Sequence, residues 1–64
     1  MPSPIFISLL ENSRLEQQQI SIYITHAILQ GIVTNLNQEA VELRTPDGKR
    51  CTVALDRIEA ITTL

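Results

Sequence analysis

Cysteine occurs once in this chain, histidine once and tryptophan not at all. A lone Cys51 excludes an internal disulfide, and with His26 as the only histidine there is no Cys/His cluster of the kind that structural zinc requires. Long hydrophobic runs are missing too. The apolar stretch Ile5–Leu10 is interrupted by Ser8 and stops at Glu11, with no basic segment ahead of it, so neither a secretory signal nor a membrane span fits. A cytoplasmic address and no membrane partner are the expectations. Basic residues are few: five Lys and Arg stand against seven Asp and Glu, a formal charge of −2. Such a chain has no global attraction to nucleic acid, and any RNA binding must be local. No glycine-rich phosphate loop is present either. One His, one Cys and scattered carboxylates (Glu39, Glu42, Asp47, Asp56, Glu59) lack the parts for acid/base, metal or nucleotide chemistry, so no catalytic residue, metal site or cofactor is expected and the chain is not read as an enzyme.

What remains is a chain of 64 residues, enough for one domain and one modest core, since about 60% of the unfolded surface is buried at this size. Ordering each residue costs roughly 1.5 kcal/mol, and the balance for so small a domain falls near zero without a staple. With disulfide and metal excluded, association with copies of itself is the staple left.

Ser3 followed by Pro4 reads as a helix N-cap with proline at the first helical position. The spacing of Ile5, Phe6, Leu9 and Leu10 predicts a helix over 3–13 with one apolar stripe, from which Ser8, Glu11 and Asn12 fall away. So short a helix is marginal alone and should lie on a sheet. The segment 13–19, with Gln17 to Gln19, reads as helix end and connector. From Ile20 the period changes to 2. Ile20, Ile22 and Ile24 alternate with Ser21, Tyr23 and Thr25 in a first strand, and His26 and Ala27 form a turn. A second strand spans 28–36, with Gly31 marking a bend or bulge. Asn35, Asn37 and Gln38 reverse the chain before a third strand at 40–44. Thr45-Pro46-Asp47-Gly48 is a strong hairpin turn, followed by a fourth strand at 50–54, a tight corner at Leu55-Asp56-Arg57 and a short fifth strand at 58–62. Lys49 and Arg50 beside Asp47 read as the charged flanks of that hairpin. His26 reads as a solvated turn residue, and Cys51 as a small core or interface residue.

The fold class is therefore mainly β: a short N-terminal helix, then a strongly bent five-stranded antiparallel sheet over 20–64 that forms a small barrel of the Sm, SH3-like or OB kind. In an incompletely closed barrel, strands 4 and 5 keep unpaired backbone groups. Pairing strand 4 of one copy with strand 5 of the next, head to tail, makes a closed ring.

The chain resembles the bacterial Sm-like RNA chaperones called Hfq over most of its length. The resemblance rests on Pro4-Ile5-Phe6 at the helix start, Ser21-Ile22-Tyr23 and Leu29-Gln30-Gly31 in strands 1 and 2, Ile58-Glu59-Ala60-Ile61 at the end, and the order and spacing of the elements. It implies an Sm-like barrel in a homohexameric ring that binds uridine-rich RNA around the pore on the helix-bearing face and adenine-rich RNA on the opposite face. On the pore face the family's glutamine corresponds to Gln38, preceded by Asn37 where aspartate is common. Glu39 stands where an aromatic follows, which forgoes about 1–3 kcal/mol of stacking per base. The family's Lys-His pair reads Leu55-Asp56, followed by Arg57. On the opposite face Tyr23 and Gln30 match adenine-contacting positions, while the turn between them is one residue shorter and lacks the family's glycine and lysine. The outer-rim arginines reduce to Arg14, other basic positions falling near Leu15 and Gln17. Divergent cyanobacterial members show a similar thinning of basic residues. The resemblance thus implies an Hfq-like ring subunit in post-transcriptional regulation, with weakened RNA sites. The alternative is a ring of the same small-barrel fold that binds a protein partner and no RNA.

Overall fold

The computed structural model describes residues 3–63. Ser3 lies in extended backbone and its hydroxyl accepts from the Ile5 amide at 3.2 Å, with Pro4 at the first helical position. Helix α1 (Pro4–Glu16) therefore starts where the sequence predicts and runs a turn further than expected. Arg14, Leu15 and Glu16 are good helix formers, and an Arg14–Glu11 ion pair at 3.3 Å braces the last turn. The helix ends at Gln17, which takes a left-handed conformation (φ 57°) and returns its amide to the Ser13 carbonyl. The buried stripe also differs from the expected one. Leu10 and Ser13 are buried and Phe6 and Ile7 pack partly on the core, whereas Ile5 is 69% exposed.

Five strands follow: β1 (Ile20–Ile24), β2 (Ala27–Leu36), β3 (Ala40–Arg44), β4 (Arg50–Ala54) and β5 (Ala60–Thr63). Thr25 and His26, rather than His26 and Ala27, form the first turn, because Ala27 already pairs with Ile24. The corner Leu55–Arg57 is one turn of 3₁₀ helix. The fifth strand starts two residues later than expected: Ile58 is buried with its amide on the Leu55 carbonyl, and the Glu59 amide bonds the Tyr23 carbonyl.

All pairings are antiparallel and the sheet order is β4-β3-β2-β1-β5. The ten residues of β2 serve both halves: Ala27–Gly31 pair with β1, and Ile32–Leu36 pair with β3. At the junction, a Cβ on Gly31 would stand 2.6 Å from the Arg44 carbonyl oxygen, so the bend needs a residue without one. The β2–β3 register then shifts between Val33 and Asn35, a bulge that sharpens the curvature. Leu10, Ile20, Ile22, Val33, Val41, Leu43, Val53, Leu55 and Ile58 form the core inside this curve, with α1 laid across it. The result is a mainly β fold, one helix followed by a strongly bent five-stranded sheet, the architecture expected of a small Sm-like barrel. Among the described residues β4 pairs only with β3 and β5 only with β1, so each keeps one open edge.

Candidate nucleic-acid interface

Period-2 alternation sorts the strand residues onto two sides. Ile20 and Ile22 point into the core, which puts Ser21 and Tyr23 on the outer face of β1. Across the ladder Tyr23 stands opposite Ile28 and Ser21 opposite Gln30, while on the other flank Tyr23 meets Ala60 and Ser21 meets Thr62. Tyr23 and Gln30 thus share one surface, as diagonal neighbours, and Ile28 beside them is 58% exposed. The surface holds a ring, an amide, hydroxyls and an exposed aliphatic, with no charge among them. Such a set can stack a planar group and hydrogen-bond its edge.

The other candidate residues lie on two turns at the opposite end of β3 and β4. Asn37 opens the β2–β3 turn, and its side-chain carbonyl accepts from the Glu39 and Ala40 amides at 2.8 and 2.9 Å. Its acceptor is therefore committed to holding the turn. Gln38 is exposed and borders a shallow groove against α1, with Ile7, Ser8, Glu11 and Leu36 on the other walls. Arg57 is exposed at the end of the 3₁₀ turn, with Asp56 beside it. The Leu55 amide bonds the Glu39 carbonyl at 2.9 Å, which fastens the two turns together. The fold hence brings the turn of Asn37 and Gln38 next to that of Arg57, and brings Glu39 and Asp56 into the same neighbourhood. Two carboxylates against one guanidinium oppose a phosphate there.

Arg14 stands apart on the helix, half exposed, and its guanidinium faces both oxygens of Glu11. An exposed pair of this kind contributes little to stability, yet it occupies the Arg14 guanidinium. His26 is exposed at the β1–β2 turn, and Cys51 is half-buried on β4 against the core. Among the described residues no cluster of three His, Cys, Asp or Glu side chains could hold a metal ion, and no helix is long and apolar enough to cross a membrane.

Sequence reasoning missed two features. Ile28 has no signal in the sequence beyond opening the second strand, and its register opposite the outward Tyr23 puts it on the exposed face. The β3–β4 hairpin also overhangs the first half of β2, making an open groove between Ile28, Leu29 and Gln30 on one side and Pro46, Lys49 and Arg50 on the other. Only the bend at Gly31 could have signalled it. No family model matches this chain, and no curated protein matches it.

Proposed function

We infer that the chain is a subunit of an Hfq-like, Sm-like ring, a homohexamer, that binds single-stranded RNA weakly. The sheet order carries this reading. It ends in two open edges, β4 and β5, on a chain with no disulfide or metal staple, and head-to-tail pairing of those edges satisfies their amides and carbonyls while closing a ring. RNA binding is supported by Tyr23 and Gln30 sharing an outer face and by Gln38 and Arg57 lying on adjoining turns. Weakness follows from what accompanies them: Asn37 spends its acceptor on its own turn, and Glu39 and Asp56 oppose phosphate on that side.

A protein-binding ring without RNA is the second reading, and the observation that favours it is that same pair of carboxylates on adjoining turns. Two measurements on the purified chain separate the possibilities. Sedimentation equilibrium should give a closed oligomer, and a stable folded monomer of 7.2 kDa at micromolar concentration overturns the ring. Fluorescence anisotropy with short oligouridine and oligoadenine at two salt concentrations should give micromolar or weaker binding. Nanomolar affinity with a steep salt slope refutes the weakened sites, and no binding even at low salt leaves the protein-binding ring.

A further inference from the structure

The five cations of the chain are not spread evenly. Arg44, Lys49 and Arg50 fall within the β3–β4 hairpin with Asp47 as the only acid between them, so this segment carries +2, and the remainder carries −4, in a chain of net −2. Register makes the arrangement sharper. Arg44 and Arg50 are direct cross-strand partners, the last pair of the β3–β4 ladder. Both are exposed. Partners in this position have Cβ atoms about 4.5–5.5 Å apart, and like charges so placed destabilise a sheet unless something neutralises them.

Among the described residues nothing does. Arg44 and Arg50 make no ion pair among the described residues, where the only two are Arg14–Glu11 and Lys49–Asp47. The two acids closest in sequence have other partners. Glu42, two residues before Arg44 on the same outward face, accepts from the Thr34 hydroxyl at 2.8 Å. Asp47 takes the Thr45 hydroxyl and faces the Lys49 ammonium at 4.0 Å. A fold that pairs two exposed arginines across one rung of the ladder, while Glu42 meets Thr34 and Asp47 meets Thr45 and Lys49, leaves a place for an anion from outside. Arg50 also lines the groove whose far wall is Ile28, Leu29 and Gln30, next to the face that carries Tyr23.

We propose that the Arg44–Arg50 cross-strand pair is an anion site for one backbone phosphate of a single-stranded nucleic acid whose bases lie on the Tyr23, Ile28 and Gln30 face. The proposal rests on the RNA-binding reading above and adds the phosphate contact that reading lacks on this side. Two guanidinium groups can present parallel N–H donors to one phosphate, a geometry that ammonium groups do not reproduce. Tyr23 and Gln30 then supply stacking and an amide, and the arginine pair supplies the salt-dependent part of the affinity.

The test is fluorescence anisotropy of a labelled oligoadenine strand against the full chain and three variants, across a range of potassium chloride concentrations. Arg44→Gln with Arg50→Gln should weaken binding about tenfold at low salt, since that factor is close to one charge-assisted contact. It should also lower the log-log salt slope by about 0.7 for each subunit the strand contacts. Arg44→Lys with Arg50→Lys should keep the slope but not the affinity. Tyr23→Ala should lose affinity at unchanged slope. Mass and circular dichroism identify any variant that fails to assemble, and the thermal midpoint of the double glutamine variant should rise, because a like-charge pair is removed. If the parent chain binds the strand and the double glutamine variant binds it with the same affinity and slope, the proposal is overturned while the RNA reading stands. If the parent chain binds no strand, the RNA reading falls with the nucleic-acid assignment of the pair. Amide chemical shifts of residues 44 and 50 titrated with tripolyphosphate then decide whether an anion site remains: shifts that the glutamine variant abolishes keep it, and their absence removes it.

Discussion

Replacing Ser13 by alanine should cost far more than a helix serine ordinarily does. Ser13 is 1% exposed and is the one buried polar side chain among the described residues. Its hydroxyl donates to the Gln18 carbonyl at 2.6 Å and accepts from the Val33 amide at 3.2 Å. The second bond has a topological cause. β1 begins at Ile20, whose partner is Gly31, so at Val33 the neighbouring strand has already run out, and the β2–β3 ladder shifts register there as well. The serine hydroxyl stands in for the missing strand. Alanine strands a buried donor and a carbonyl together, each at about 1–3 kcal/mol, and relaxation at the helix end will recover part of the carbonyl's share. A net loss of about 2–4 kcal/mol is expected, against a total stability of roughly 3–10 kcal/mol for a domain of this length. Urea denaturation at one fixed protomer concentration, which holds constant the contribution of the proposed assembly, should show a lower midpoint at unchanged slope. Hydrogen exchange should show the Val33 amide losing protection ahead of its neighbours. Ser8→Ala, on the exposed face of the same helix, serves as the control and should change stability by less than about 0.5 kcal/mol. A Ser13→Ala variant no worse than that control refutes the idea that the hydroxyl completes the ladder.

Gly31→Ala should destabilise by about 1–3 kcal/mol in the same denaturation assay, because its methyl meets the Arg44 carbonyl at 2.6 Å and backbone must move; a neutral or stabilising result means the bend does not depend on that close approach. Leu10→Ala, at a fully buried site, should cost about 2–5 kcal/mol, and Phe6→Ala less than that, since Phe6 only partly packs on the core; the reverse order places the helix wrongly on the sheet. Asp47 titrates below its ordinary range because the Thr45 hydroxyl bonds its carboxylate. The sign follows: its contribution to the hairpin is present above the unfolded pKa of 3.8 and is lost as pH falls through the lower folded value. Side-chain NMR titration of the parent should show this lowering and that of Thr45→Val a smaller one, because the Thr45 hydroxyl is its largest cause.

The elements whose signals are local were legible in the sequence. Ser3 and Pro4 mark the helix start by chemistry that acts within one turn, and period-2 isoleucines in β1 mark which side is buried. The helix end was not, because the residue that takes the left-handed conformation is Gln17, where no glycine announces it. The stripe was misread at Ile5 for a related reason. Apolar residues at 5, 6, 7, 9 and 10 are compatible with more than one helix face, and the face that wins is the one that brings Ser13 to Val33, a contact between residues twenty apart that composition cannot reveal. Lys49 and Arg50 read from sequence as the charged flanks of the hairpin, but adjacency along the chain does not say which of them meets Asp47, and among the described residues only Lys49 does. Register places Arg50 directly opposite Arg44, and both are exposed.

In the proposed ring these placements bear unequally on its two faces. On the helix side the polar groups that RNA would need are partly consumed: Asn37 by its turn, Arg14 by Glu11, and Arg57 by standing with two carboxylates on adjoining turns. On the Tyr23 side the ring, the Gln30 amide and two guanidinium groups have no hydrogen-bond or ion-pair partner among the described residues. Weak contacts of the second kind gain from repetition, because a strand held at one subunit meets the next at high effective concentration, whereas repulsion on the first side is multiplied by the same symmetry. Oligoadenine is therefore expected to bind more tightly than oligouridine, and with the steeper salt slope. Equal slopes for the two strands would place the phosphate contacts away from the hairpin, and tighter binding of oligouridine would mean that Gln38 and Arg57 outweigh the carboxylates beside them.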